Sequence, residues 1–164
     1  SDVYKRQVIL TSDHGYHLGE HGHWQKRTLF NHATRVPLIF SGPGINNNKG
    51  DVNDPVELID IYPTIMDLTK IKTPKHVVGK SLLPIFNDTN FKIRNSALTR
   101  LNVMNGGGNG YSIKSDRYRL TKWGEKGELG YELYDHKNDK EELIREFSSL
   151  LEFQLYLQLQ GHYL

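Results

Sequence analysis

The sequence predicts an α/β chain in two parts: strands and a helix of a larger α/β layer over residues 8–95, then a small subdomain of antiparallel sheet and helix over residues 96–164. Three observations carry this expectation. An apolar run, Val8-Ile9-Leu10, stops abruptly at the polar residues Thr11-Ser12-Asp13-His14, as a strand does when it delivers polar side chains at its end. The apolar residues Val56, Leu58, Ile59, Tyr62, Ile65, Met66 and Leu68 recur with helical spacing. Between Ala97 and Asp135 lie four short segments rich in Tyr, Leu, Ile and Thr, separated by Gly, Ser, Asp and Asn, the punctuation of hairpin-linked strands.

Taken in order, Val8–Leu10 is expected to be a buried strand whose carboxyl end presents Ser12, Asp13 and His14, the place where open α/β sheets bind ligands. Gly15 reads as a sharp turn free of a Cβ penalty. From Gly15 to Arg35 the chain is rich in His and Gly without apolar periodicity, so a long loop with a short helix near His32 is expected. Loops of that length are commonly functional. Val36–Phe40 reads as a second buried strand, closed by Ser41-Gly42-Pro43-Gly44, and Asn46–Asp51 as a polar turn. Asp54-Pro55 is expected to cap the helix, and Pro63 to kink or divide it. Lys75–Asn90 reads as a connecting loop. Strands are expected near Ala97–Leu101, Tyr111–Ser115, Tyr118–Trp123 and Tyr131–Asp135, with Tyr118, Trp123, Tyr131 and Tyr134 as sheet and core aromatics, and a closing helix from Glu141 onward. The glycines of Gly106–Gly110 lack the Lys-Ser or Lys-Thr and the helix of a phosphate cradle, so they read as a loop. Ser1–Gln7 is set aside as a non-native end.

Bulk properties exclude several classes. With 164 residues and 37% hydrophobic side chains the chain can bury a core. The net charge of +2, from 21 Lys and Arg scattered among 19 acids, implies no nucleic-acid face. There is no apolar stretch of the roughly 20 residues a membrane helix requires, and no segment with a basic start and apolar middle. The absence of cysteine removes disulfides and thiolate metal sites.

The words around Asp13 are specific. "TSDHGYHLGEHGHWQKRTLFNHATRVPLIFSGPG", Thr11 to Gly44, resembles the sulfatases of the alkaline-phosphatase-like superfamily, and among them the iduronate-2-sulfatase-like branch. Further blocks follow in the same order: "ELIDIYPTIMDL" (57–68), "GKSLLPIF" (79–86), "GYSIKSDRYRLTKW" (110–123) and "YELYDHKND" (131–139). The resemblance implies the C-terminal part of a sulfatase domain followed by a small antiparallel-sheet-plus-helix subdomain. It implies Asp13 and His14 as ligands of a divalent cation, with Ca²⁺ first, and Lys26 as the catalytic, sulfate-contacting cation. His17 is a candidate substrate-binding residue of the cleft. The family's nucleophile is a formylglycine made from a Cys or Ser in a C-x-P-S-R or S-x-P-x-R motif, and no such motif occurs here. The formylglycine is therefore expected on a missing N-terminal part of the same domain, and this chain alone is expected to be inactive. The resemblance further implies a sulfated carbohydrate substrate and a secreted, periplasmic or lysosomal-type location for the intact protein.

This residue choice suits the chemistry. A sulfate ester is anionic, and its cleavage develops charge on the leaving oxygen, so cations must sit close. A lysine ammonium is a compact point charge, and a divalent metal polarises the sulfuryl oxygens. His17, His21, His23 and His32 have zinc-like spacings, but no H-E-x-x-H arrangement accompanies them, so a separate zinc site is not expected. Two other readings stand beside the sulfatase: a phosphonate monoester hydrolase or phosphodiesterase of the same superfamily, and a non-catalytic binding protein derived from the fold.

Overall fold

A computed structural model describes residues 6–45, 50–102 and 108–146. These form two compact units, one built from the described residues up to Asp13 together with Val36–Ala97, the other from His14–Arg35 together with the described residues from Leu98 onward. Among the described residues no helix is long and apolar enough to cross a membrane.

In the first unit, β1 (Val8–Thr11) pairs antiparallel with β2 (Leu38–Ser41), Val8 opposite Ser41 and Leu10 opposite Ile39. Side chains alternate across a strand, so Val8, Leu10 and Ile39 share one face, and they are 59%, 56% and 54% exposed. The expectation of two buried strands is therefore corrected. The two strands form a ribbon, and the apolar residues of that face are covered by nothing among the described residues of the unit. On the opposite face Phe40 packs against Phe86, ring centroids 5.1 Å apart.

The predicted helix also forms differently. A 3₁₀ turn, Leu58–Asp60, leads into α2 (Ile61–Leu68), and the cap is a reciprocal pair of Glu57 and Asp60, not Asp54-Pro55. Pro63 causes no break, because it lies in the first helical turn, where its missing N–H has no intrahelical partner to lose. Leu58, Ile59 and Tyr62 are exposed, while Asp60, Pro63 and Thr64 are buried. What holds this side is polar. Asp60 accepts the backbone N–H of Glu57 (2.9 Å) and of Lys80 (2.8 Å), and pairs with Arg94, which also pairs with Glu57. The Thr64 hydroxyl donates to the Asp60 carbonyl at 2.5 Å and accepts Leu82 N–H at 2.9 Å. The stretch read as a connecting loop contains a short helix, α3 (Leu83–Asn87), started by Pro84 near its N-terminus, and its Ile85 and the N-cap residue Leu82 are both buried.

In the second unit, α1 (Asn31–Thr34) is the short helix expected near His32. The sheet runs in the order β3 (Ser96–Asn102), β4 (Asn109–Ser115), β5 (Tyr118–Trp123) and β6 (Gly130–Asp135). Each strand contains the segment expected of it. Ser112 lies opposite Thr121, and Arg119 opposite Tyr134, so Ser112, Arg119, Thr121 and Tyr134 line one face, and all four are buried. Phe30 meets Tyr134 on this face at 5.9 Å between rings. Of the expected closing helix, residues 141–146 are not helical, and the rest lies outside the described residues.

Glu142 is buried, 1% exposed, at a left-handed φ of 59°. Its carboxylate accepts from Arg119 Nε at 2.5 Å, His136 Nε2 at 2.6 Å and the backbone N–H of Asn31 at 2.6 Å. Arg119 also donates to Ser112 Oγ, Asn31 Oδ1 and Thr34 Oγ1. Burial would raise the Glu142 carboxyl, but His136, Arg119 and the Asn31 N–H outweigh it and hold the group below its ordinary 4.5.

Removing one partner of a buried ion pair leaves the other uncompensated. Glu142→Ala is therefore expected to destabilise the chain by about 3–5 kcal/mol in urea unfolding. A folded pKa below the unfolded one means that the Glu142 contribution is whole above pH 4.5 and is lost as pH falls through the lower folded value. Stability that is equal in the wild type and the variant above pH 5 would remove Glu142 from this role.

Candidate functional site

The segment from His14 to Arg35 folds back on itself. His17 N–H donates to the Gln25 carbonyl at 3.0 Å and Gly19 N–H to the His23 carbonyl at 2.9 Å. These two bonds pair 17 with 25 and 19 with 23, as in a hairpin. At its tip a 3₁₀ turn, Glu20–Gly22, includes His21 at a left-handed φ of 55°. The start of the segment is fixed by Gly15, whose N–H donates to the Ala33 carbonyl at 2.8 Å. Gly15 has no positive φ. Glycine is needed for space, since a Cβ would lie 1.9 Å from the His32 carbonyl oxygen.

His17 is the pin of this hairpin. It is fully buried, with its ring 5.3–5.8 Å from the rings of His21, His23 and His32, and 6.1 Å from Phe30. A carbonyl can only accept, so His17 Nδ1 carries the hydrogen given to the Glu20 carbonyl (3.1 Å), and Nε2 accepts the Thr28 hydroxyl at 2.6 Å. Burial, with the neighbouring histidines, pushes the His17 pKa below 6.5, although the Glu20 carbonyl opposes this. A ring that donates at Nδ1 and accepts at Nε2 is the neutral tautomer. His21 stacks on Phe30 at 3.9 Å, and His32 approaches Glu141 at 3.2 Å.

Of the four residues singled out in the sequence, two meet directly. Lys26 Nζ lies 2.7 Å from His14 Nε2, across twelve positions of sequence. His14 Nδ1 lies 2.7 Å from the Gly15 carbonyl, so by the same reasoning Nδ1 carries the hydrogen and Nε2 presents its lone pair. That lone pair receives the ammonium here, and the same tautomer is the one in which Nε2 ligates a metal. Lys26 is exposed and His14 half-buried. Asp13, exposed, is the last residue of the first unit, and His14 opens the second. His17 lies beneath the hairpin. Among the described residues no group of three or more His, Asp or Glu is arranged to hold a metal ion. Asp13 and His14 fit a divalent cation in kind, as one hard oxygen and one imidazole donor, and amount to a fraction of the six to eight ligands calcium takes.

Sequence reasoning missed the parts that hold this loop. Thr28, Asn31 and Glu142 have no motif of their own, and their partners are remote in sequence: Glu142 lies 111 positions from Asn31.

Comparison with known proteins gives a consistent result. The family described as N-sulphoglucosamine sulphohydrolase, C-terminal, matches residues 19–161. A sulfatase of Formosa agariphila is 34% identical over 139 residues, 85% of this chain and 26% of that protein. Human arylsulfatase K is 30% identical over 148 residues, 86% of this chain and 27% of its own length. The solved structure of a 2-O GAG sulfatase superposes with a TM-score of 0.78 at 25% identity, covering 94% of this chain and 34% of that one. The chain thus spans about a quarter of the length of the relatives it matches.

Thr28→Val keeps the shape of the side chain and removes the donor to His17, leaving a buried nitrogen unpaired. A loss of about 1–3 kcal/mol is expected, together with faster tryptic cleavage after the exposed Lys26 and Arg27. Unchanged stability and cleavage would show that the His17–Thr28 bond does not hold the loop.

Proposed function

The chain belongs to the sulfatase family as a C-terminal portion of it, and from that premise we propose that the intact protein hydrolyses sulfate esters on a sugar or polysaccharide. Within the family we read it as a member of the iduronate-2-sulfatase-like branch, on the words of Thr11–Gly44.

The observation that carries the reading is the meeting of Lys26 with His14. Lys26 is the sulfate-contacting cation: its ammonium neutralises the ester's charge in the bound state and the charge that develops as the ester bond breaks. His14, with Nδ1 tied to the Gly15 carbonyl, orients Nε2 toward the same space. Asp13 and His14 are proposed to hold a divalent cation, calcium first, with the remaining ligands from elsewhere in the protein. That cation supplies Lewis-acid polarisation of the sulfuryl oxygens. The formylglycine nucleophile is assigned to sequence outside this chain. His17 is assigned to the loop's support, because both its nitrogens are engaged and its ring is buried. For location, the reading is that of an exported or lysosomal-type enzyme.

In the full-length enzyme, Lys26→Ala is expected to lower kcat/KM for an aryl sulfate by about 10²-fold or more, by analogy with deleting one preorganised charge-stabilising donor. Inhibition by inorganic sulfate should weaken in parallel. Turnover of an aryl sulfate by that variant at the wild-type rate would overturn the assignment of Lys26.

A further inference from the structure

The hairpin of His14–Arg35 has two sides, and the reaction assigned above uses only the end of one. Pairing 17 with 25 and 19 with 23 places 18 across from 24 and 16 across from 26, on the side opposite His17. All four residues of that side are exposed, while on the other side His17 is buried and Gly19 and Gln25 are exposed. His17 is fully buried, whereas Tyr16, Leu18 and Trp24 are 51%, 67% and 71% exposed and Lys26 is exposed at the end of the same row. Single exposed apolar residues are ordinary, but three in register beside the sulfate-contacting cation form a surface.

The surface is also ordered. The Tyr16 hydroxyl donates to the Trp24 carbonyl at 2.9 Å, tying the two arms of the loop together. Trp24 lies along Gly19, where a Cβ would stand 3.5 Å from the indole ring, and Gly19 has a φ of 122°, which disfavours any side chain there. One edge of the indole is thus backed by the hairpin's own backbone.

Resting on the sulfate-ester reading, we propose that Tyr16, Leu18 and Trp24 form a platform for a pyranose ring of the saccharide that carries the sulfate. The ring's apolar C–H face lies on the indole, and its sulfate reaches Lys26. Charge selects this occupant over an apolar peptide or lipid: the row ends in an ammonium and, beside it, His14, so a ligand that fits must be apolar on one face and anionic at one end. Sulfated sugars have that combination, and aromatic side chains supply broad apolar contact for it at low entropic cost.

The test uses the full-length enzyme with Trp24→Ala and Trp24→Phe. On a sulfated disaccharide, Trp24→Ala is expected to lower kcat/KM by about tenfold or more, mainly through KM, and Trp24→Phe to restore most of it. The inhibition constant of inorganic sulfate, which reports on Lys26 without a sugar, should move less than about twofold. Oxidation of Trp24 by N-bromosuccinimide, followed by peptide mass spectrometry, should be rapid in the free enzyme and suppressed by the disaccharide. Equal kcat/KM in wild type and Trp24→Ala, or a Trp24 that is inert in the free enzyme because protein covers it, would overturn the platform. If the wild type hydrolyses no sulfate ester, the reaction assignment fails separately: disaccharide protection of Trp24 would still support the platform, and its absence would sink it.

Discussion

The Glu142 carboxylate, buried and paired, is the constraint on which the second unit depends. A carboxylate out of water costs several kcal/mol unless charge and hydrogen bonds replace the solvent. Arg119, His136 and the Asn31 N–H do so from three different parts of the chain. The first belongs to β5, the second follows β6, and the third opens the short helix that ends the histidine-rich loop. Satisfying one charge therefore fixes the strand, the segment after the sheet and the loop's far end together. The left-handed backbone of Glu142 is consistent with this, since such a conformation in a non-glycine residue persists only where the surroundings over-determine it.

From that anchor, order passes along the loop. Asn31 and Thr34 are held by Arg119, Ala33 receives the Gly15 N–H, and Gly15 in turn accepts from His14 Nδ1. His17 closes the other end through Thr28 and the Glu20 carbonyl. Lys26 is thus brought to His14 by bonds made mostly by other residues of the loop. The functional pair sits on a support whose cost is met elsewhere, which is how a mobile cation on a long stem acquires a defined position.

Much of this was legible and some was not, for identifiable reasons. The segments of the four strands of the sheet and the helix at Asn31–Thr34 followed from local patterns, and family-specific words singled out His14 and Lys26, whose direct meeting comes from the structure. Local patterns failed where tertiary context decides. Val8, Leu10 and Ile39 read as buried because they are apolar, but burial depends on what packs against them, and their face of the ribbon is open. The helix at Ile61–Leu68 was placed correctly in outline while its cap and its buried side were not. Periodicity ranks residues by hydrophobicity, and this helix turns Asp60 and Thr64 inward, where each is satisfied by hydrogen bonds. Pro63 carries the pattern of a kink or division, but whether proline interrupts a helix depends on where the helix begins, and here it falls in the first turn.

The division of labour within the loop follows from the same physics. Positions facing inward, His17, Thr28, Leu29 and Ala33, are buried and contribute to stability through packing and paired polar atoms. Positions facing outward, Tyr16, Leu18, Trp24 and Lys26, are exposed and make few of the contacts that hold the fold. An inward substitution is constrained by the volume and hydrogen bonds of its site, whereas an outward one alters the surface offered to a ligand while leaving the support in place. Within the hairpin His17 has the first role, and Tyr16, Leu18, Trp24 and Lys26 have the second. Its recognition surface can therefore be altered without loosening the histidine and threonine that hold it.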